Sequence, residues 1–177
     1  MKKFSIVSVM IFLLAIPVLN QVAQEAEFEP EEVDFKEYVI GYVPVQPQIQ
    51  SPDPNPYVKA LCIGLANFYP DQAEWAILDF ATEWDRSQDW DIVFVVVNYS
   101  NQNVKYKVEM EMMYNDGRTR FYKKSTKTIN SGYIMLYTFD VTNKIANSDG
   151  SLFTLNGRIW GAGMGNSNEV KTQVLIW

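Results

Sequence analysis

The sequence contains no histidine and a single cysteine, Cys62. Without histidine the commonest general base is missing. The Ser-His-Asp and Cys-His nucleophile systems go with it, as do most zinc and copper sites. One thiol cannot close an intrachain disulfide, so the fold must hold by packing alone. Cys62 lies in the apolar run ALCIGLANF and reads as a small buried hydrophobe, with a disulfide between two chains as the sharper alternative. Positive charge is scarce too: 15 Lys and Arg stand against 21 Asp and Glu, a formal net charge of −6. Such a chain binds neither nucleic acid nor an anionic membrane surface through its net field. Carboxylate-only chemistry, as in glycosidases, survives these exclusions, and so does oxygen-ligated calcium.

The one long hydrophobic run is at the N-terminus. In residues 1–23, Lys2 and Lys3 precede an apolar stretch from Phe4 to Leu19, interrupted by Ser5 and Ser8, and small residues come after it at Ala23 and Ala26. This is the layout of a secretory signal peptide cut after Ala23 or Ala26, with an uncleaved anchor helix as the alternative. The run is short for a membrane span, no second one follows, and no cysteine follows it to accept a lipid. Cleavage after Ala23 leaves 154 residues and removes two lysines, which takes the formal charge from −6 to −8. The expected location is secreted, periplasmic or at the cell surface.

Residues 24–56 differ in composition from the remainder of the chain. Glu25, Glu27, Glu29, Glu31, Glu32, Asp34 and Glu37 come first, then Pro44, Pro47, Pro52, Pro54 and Pro56. Proline removes backbone donors and favours extension, so the segment reads as an extended or disordered leader that spaces the domain from something else. Within it, EYVIGYVPVQ alternates apolar side chains and fits a strand added to a sheet edge, its own or a neighbour's.

From residue 57 onward the pattern has period two. In VKYKVEMEMMYN, Tyr106, Val108, Met110, Met112 and Tyr114 share one face, and Lys105, Lys107, Glu109 and Glu111 the other. That is a half-buried antiparallel strand. Asn115-Asp116-Gly117 supplies a hairpin turn before RFYKKSTKTI returns. DIVFVVVNYS is apolar on both faces, and YIMLYTFDVT, LFTLNGRIW and EVKTQVLIW complete the set. The stretch 72–84 fits a helix capped by Asp71 or a strand, and the downstream pattern favours the strand. About seven or eight strands at regular spacing over 57–177 predict an all-β, Ig-like or fibronectin-like Greek-key antiparallel sandwich with an extended N-terminal leader.

Three stretches are site candidates. GAGMGNSN, with Gly161, Gly163, Gly165, Asn166 and Asn168, follows a strand and leads into another. It also lacks the lysine and hydroxyl of a P-loop, so it is a hairpin loop able to touch a partner and not a phosphate cradle. The acidic stretch from Asp71 to Asp91 includes Asp85 and Asp89, and clustered oxygens can bind calcium, but DRSQDWD lacks the EF-hand glycine and terminal glutamate. Trp84 and Trp90 flank that loop, with Trp75, Trp160, Tyr99 and Tyr122 elsewhere. Exposed indoles beside carboxylates suit sugar rings, whereas the plainer reading places these rings in the core. Asn98-Tyr99-Ser100 fits a glycosylation acceptor.

The strand pattern of 75–177 resembles the cell-adhesion-related bacterial domain (CARDB), a fibronectin-like sandwich. FVVVNYSNQ is similar to its "VxVxNxG" opening, VEMEMMYNDG to its middle strand and turn, INSGYIMLYTFDVT to its glycine turn and alternating strand, and Asn168-Glu169 to its closing stretch. The resemblance implies a secreted interaction or spacer module without catalytic residues. The expected function is therefore a non-catalytic binding or adhesion-type module for a protein or polysaccharide of the cell envelope. No cofactor is implied, calcium aside, and self-association is compatible. A structural subunit assembling by strand addition through residues 37–46 is the alternative, and a carboxylate-dependent glycosidase is a third.

Overall fold

A computed structural model describes residues 29–45, 58–66, 83–84, 91–141, 151–161 and 168–176. They form ten strands: β1 (Glu31–Glu32), β2 (Lys36–Tyr42), β3 (Val58–Ala66), β4 (Glu83–Trp84), β5 (Asp91–Asn98), β6 (Val104–Tyr114), β7 (Thr119–Ile129), β8 (Tyr133–Asp140), β9 (Ser151–Trp160) and β10 (Asn168–Ile176). The larger sheet has the order β1-β7-β6-β9-β10-β4 and the smaller the order β2-β8-β5-β3. The chain passes from β5 to the hairpin β6–β7 in the other sheet, then returns to β8 beside β5. This is the Greek-key sandwich that the strand spacing predicts. Eight long strands pair antiparallel, and the two-residue strands β1 and β4 pair parallel at the edges of the larger sheet. Of the stretch 72–84, only Glu83 and Trp84 fall within the described residues, and both are strand.

Alternation sorts the side chains. Tyr106, Val108, Met110 and Met112 of β6 face Ile92, Phe94 and Val96 of β5 across the core, with Phe153, Leu155 and Ile159 of β9 beside them. β5 is apolar on both faces because both are buried. Val93 and Val95 join Ala66 and Leu136 in a second cluster on the outer face of the smaller sheet, with Cys62 packed partly buried against it. That burial raises the Cys62 thiol pKa, as fits a packing residue. Gly157 of β9 faces the core, where a Cβ would lie 2.6 Å from the Phe94 ring, so only glycine leaves that ring its place.

The turns use the residues that the backbone demands. Gly117 closes the β6–β7 hairpin at φ +86°, where Tyr114 N–H donates to Arg118 O at 2.9 Å. Gly132, at φ +74°, turns the chain from β7 into β8. Asn98, fully buried, organises the turn after β5. Its amide nitrogen donates to the carbonyls of Gln102, Ile129 and Asn130, and its oxygen accepts from Ser100 N–H and hydroxyl. The Asn-Tyr-Ser tripeptide is therefore an internal brace in the folded chain, and Asn98 has no amide hydrogen turned outward to modify.

The acidic leader is part of the sandwich. β1 pairs with β7, β2 pairs with β8 of the same chain, and Val33 between them is core. Of the two edges open to EYVIGYVPVQ, it takes its own. Lys123 and Lys127 stand on the core-facing side of β7, in register with Met110 and Tyr106. Burying an ammonium unpaired is costly. The leader's acids supply the counter-charges: Lys123 pairs with Glu32 at 2.9 Å and with Asp34 at 2.7 Å, and Lys127 pairs with Glu37 while lying over the Phe35 ring.

Candidate functional site

Of the residues singled out in the sequence, Asp85, Asp89, Trp90, Gly163, Gly165 and Asn166 lie outside the described residues. Trp84 pairs through its backbone with Ile176, on β4 at an edge of the larger sheet. Gly161 and Asn168 make close contacts within the fold. A Cβ on Gly161 would lie 3.1 Å from Lys105 O, so glycine lets the chain leave β9 close against β6. Asn168 Oδ1 accepts Ala60 N–H at 2.7 Å, beside the β3 bulge, and so ties the start of β10 to the other sheet. β9 and β10 pair antiparallel, so the glycine stretch joins two strands.

The chemistry that is in place lies on the outer face of the larger sheet. Alternation sets Leu155, Gly157 and Ile159 inward, and so sets Asn156, Arg158 and Trp160 of β9 outward. Register brings Glu109 and Glu111 of β6 opposite Arg158 and Asn156, and Glu169 and Lys171 of β10 opposite the same two residues from the other side. β7 adds Tyr122 and Lys124 beside Glu111 and Glu109. Two rows of complementary side chains thus cross four neighbouring strands.

The ion pairs are ordered by burial. Glu109 is 7 % exposed, and Arg158 Nε donates to its carboxylate while Nη2 lies 3.9 Å from Glu111. These carboxylates strengthen the hold of Arg158 on its proton. Glu169 pairs with Lys171 at 3.2 Å; the hydrogen bond from Lys171, and a further one from Asn156, lower its pKa. Asn156 Nδ2 also donates to Glu111 Oε2 at 3.1 Å. Both amide hydrogens are thereby turned toward carboxylates, which leaves Asn156 Oδ1, on a residue 4 % exposed, without a donor. Beside this network Trp160 is half-buried, with Lys124 Nζ 4.8 Å from its ring centre and the Arg158 guanidinium 5.7 Å away.

The carboxylates of this face pair with Arg158 and Lys171. It offers donors and acceptors of both kinds and an indole plane, and Lys105 and Lys107 of β6 extend the same face, with Lys107 in register with Trp160. A second acidic group lies at the end of the smaller sheet, where Asp91 stands directly opposite Asp140. Burial and then the Asp140 charge push Asp91 up to about 6, against the pull of Lys36.

The sequence marked Trp160 and Tyr122 only as members of a rich aromatic set, and Glu109 and Glu111 only as a polar face. Asn156 and Arg158 carried no local signal. Their partners lie 45 and 49 residues away, and only the β6–β9 register unites them.

No protein-family model and no curated protein matches the sequence. Among solved structures, the chain is similar to the C-terminal domain of wzt, with a TM-score of 0.45 and 10 % identity over 81 % of this chain and 78 % of that one. It is also similar to a family 123 glycoside hydrolase from Clostridium perfringens, with a TM-score of 0.35 and 8 % identity over 66 % of this chain and 28 % of that one.

Proposed function

We propose that the protein is an exported, non-catalytic binding module, and that its ligand is a polysaccharide of the cell envelope or its surroundings. One observation carries this reading: the outer face of the larger sheet sets a half-buried Trp160 beside an ion-paired network in which Asn156 Oδ1 lacks a donor. An uncharged, hydroxyl-rich chain matches such a face. Its apolar ring faces stack on indole, and its hydroxyls supply donors and acceptors together. The signal-like N-terminus and the CARDB-like strand pattern support the same placement and role.

Affinity electrophoresis through gels cast with neutral polysaccharides, alongside a binding screen of envelope protein extracts, tests the proposal. Trp160→Ala and Asn156→Ala are each expected to weaken retention roughly three- to tenfold, the size of one stacking contact, while the thermal transition stays cooperative. Retention that is unchanged in both variants would remove this face from the account. Capture by proteins alone would move the ligand class from polysaccharide to protein.

A further inference from the structure

The stretch of sugar chain that meets Trp160 and Asn156 accounts for only part of the outer face of the larger sheet. Beyond Trp160 the face is cationic. Tyr106 and Val108 of β6 point into the core, so Lys105 and Lys107 point away from it, and both are exposed. Lys107 stands in register with Trp160 on one side and with Thr126 on the other. Lys124 of β7, also exposed, lies diagonally across from Lys107 and brings its ammonium to 4.8 Å from the Trp160 ring centre. Arg158 adds its guanidinium 5.7 Å from the same ring, but Glu109 and Glu111 already hold it. No carboxylate among the described residues pairs with Lys105, Lys107 or Lys124.

That gap is not a shortage of acids. The chain carries 21 acidic against 15 basic residues. On the inner side of the same strand β7, Lys123 meets Glu32 at 2.9 Å and Asp34 at 2.7 Å, and Lys127 meets Glu37. On the outer side the lysines are left to gather. Two positions along a strand set Lys105 and Lys107 ~7 Å apart. Ammoniums held this close repel one another, and an anion placed among them relieves the repulsion. Building on the polysaccharide reading above, we infer that the polysaccharide carries acidic groups at intervals, and that Lys105, Lys107 and Lys124 form the subsite for one of them while Trp160 takes an adjoining sugar ring. The group is a carboxylate, or a sulfate or phosphate ester, since the lysines read its charge. Each ammonium in contact with it is worth roughly fivefold in affinity, even in water. The net charge of −6 repels a polyanion at long range, so attraction to one is a local property of the surface.

Binding of the full chain to two matched pairs of polymers tests this: polygalacturonate against its methyl ester, and dextran sulfate against dextran. Within each pair the sugar backbone is the same and the charge differs. The expected result is a preference of roughly tenfold or more for the charged member of at least one pair at low salt, shrinking as salt is added. The pair that shows it tells carboxylate from ester. Lys105→Gln with Lys107→Gln should abolish the preference and leave binding to the uncharged member as it was, whereas Lys105→Arg with Lys107→Arg should keep it. Trp160→Ala should weaken both members alike. These lysines are exposed, and Lys124→Gln repeats the test from the neighbouring strand. Equal binding within both pairs would overturn this inference alone, as would a preference that survives the double glutamine change. Polyglutamate bound as tightly as the charged polysaccharides would overturn it too, because charge without sugar would then explain the retention. No binding to any of the four polysaccharides would remove the polysaccharide reading and this inference with it.

Discussion

Tyr106 of β6 and Tyr137 of β8 come from different sheets, and their hydroxyls hydrogen-bond to each other in the core. Each satisfies the other, and neither has water to turn to. Tyr106→Phe should therefore cost about 1–3 kcal/mol, the penalty for a buried hydroxyl left alone. The double variant Tyr106→Phe, Tyr137→Phe should cost less than the sum of the single changes, because both polar groups leave together. Urea unfolding of the four chains reads the coupling, and strictly additive losses would show that the pair does not act as a unit. Asn98 works in the same way over a longer reach. One buried amide serves three carbonyls, and the sequence around it shows only a tripeptide that fits another purpose.

The elements were largely legible because period-two alternation is a local property. Tyr106 to Tyr114 announced β6, its turn residues announced the hairpin, and the unbroken apolar run announced that β5 is buried on both faces. The leader was less legible, and the reason is physical. Its acids look like a solvated run until Lys123 and Lys127 are known to face the core, and those lysines stand 89 to 91 residues further along the chain. The polar face had the same obstacle, since Asn156 and Arg158 acquire meaning only through strand register. Register also creates the Asp91–Asp140 pair at the end of β5 and β8. Asp91 titrates at about 6 in the folded chain against an ordinary 3.8, so the folded state holds that proton more tightly. The stability it contributes is intact below about 4 and is lost as pH rises to about 6. Asp91→Asn keeps the neutral form at every pH. It should flatten the urea midpoint between those values and raise stability at pH 7 by about 1 kcal/mol, after allowance for its partial exposure. A variant that tracks the parent across that range would assign the pH dependence to another group.

At the scale of the whole molecule the two sheets divide the labour. The smaller is apolar on both faces and serves as framework, while the larger turns a polar, aromatic face outward. The tyrosine pair between the sheets carries a last consequence, an optical one. Burial holds both hydroxyls well above the ordinary value of 10, and the Tyr106 hydroxyl is raised further by the Tyr137 beside it. Their contribution to stability is intact below that value and shrinks as pH climbs past it. An alkaline titration followed by ultraviolet absorbance at the tyrosinate band reads this directly. Tyr106 and Tyr137 should stay silent until the sheets part, and then ionise in one step, so that the ultraviolet absorbance records the opening of the core.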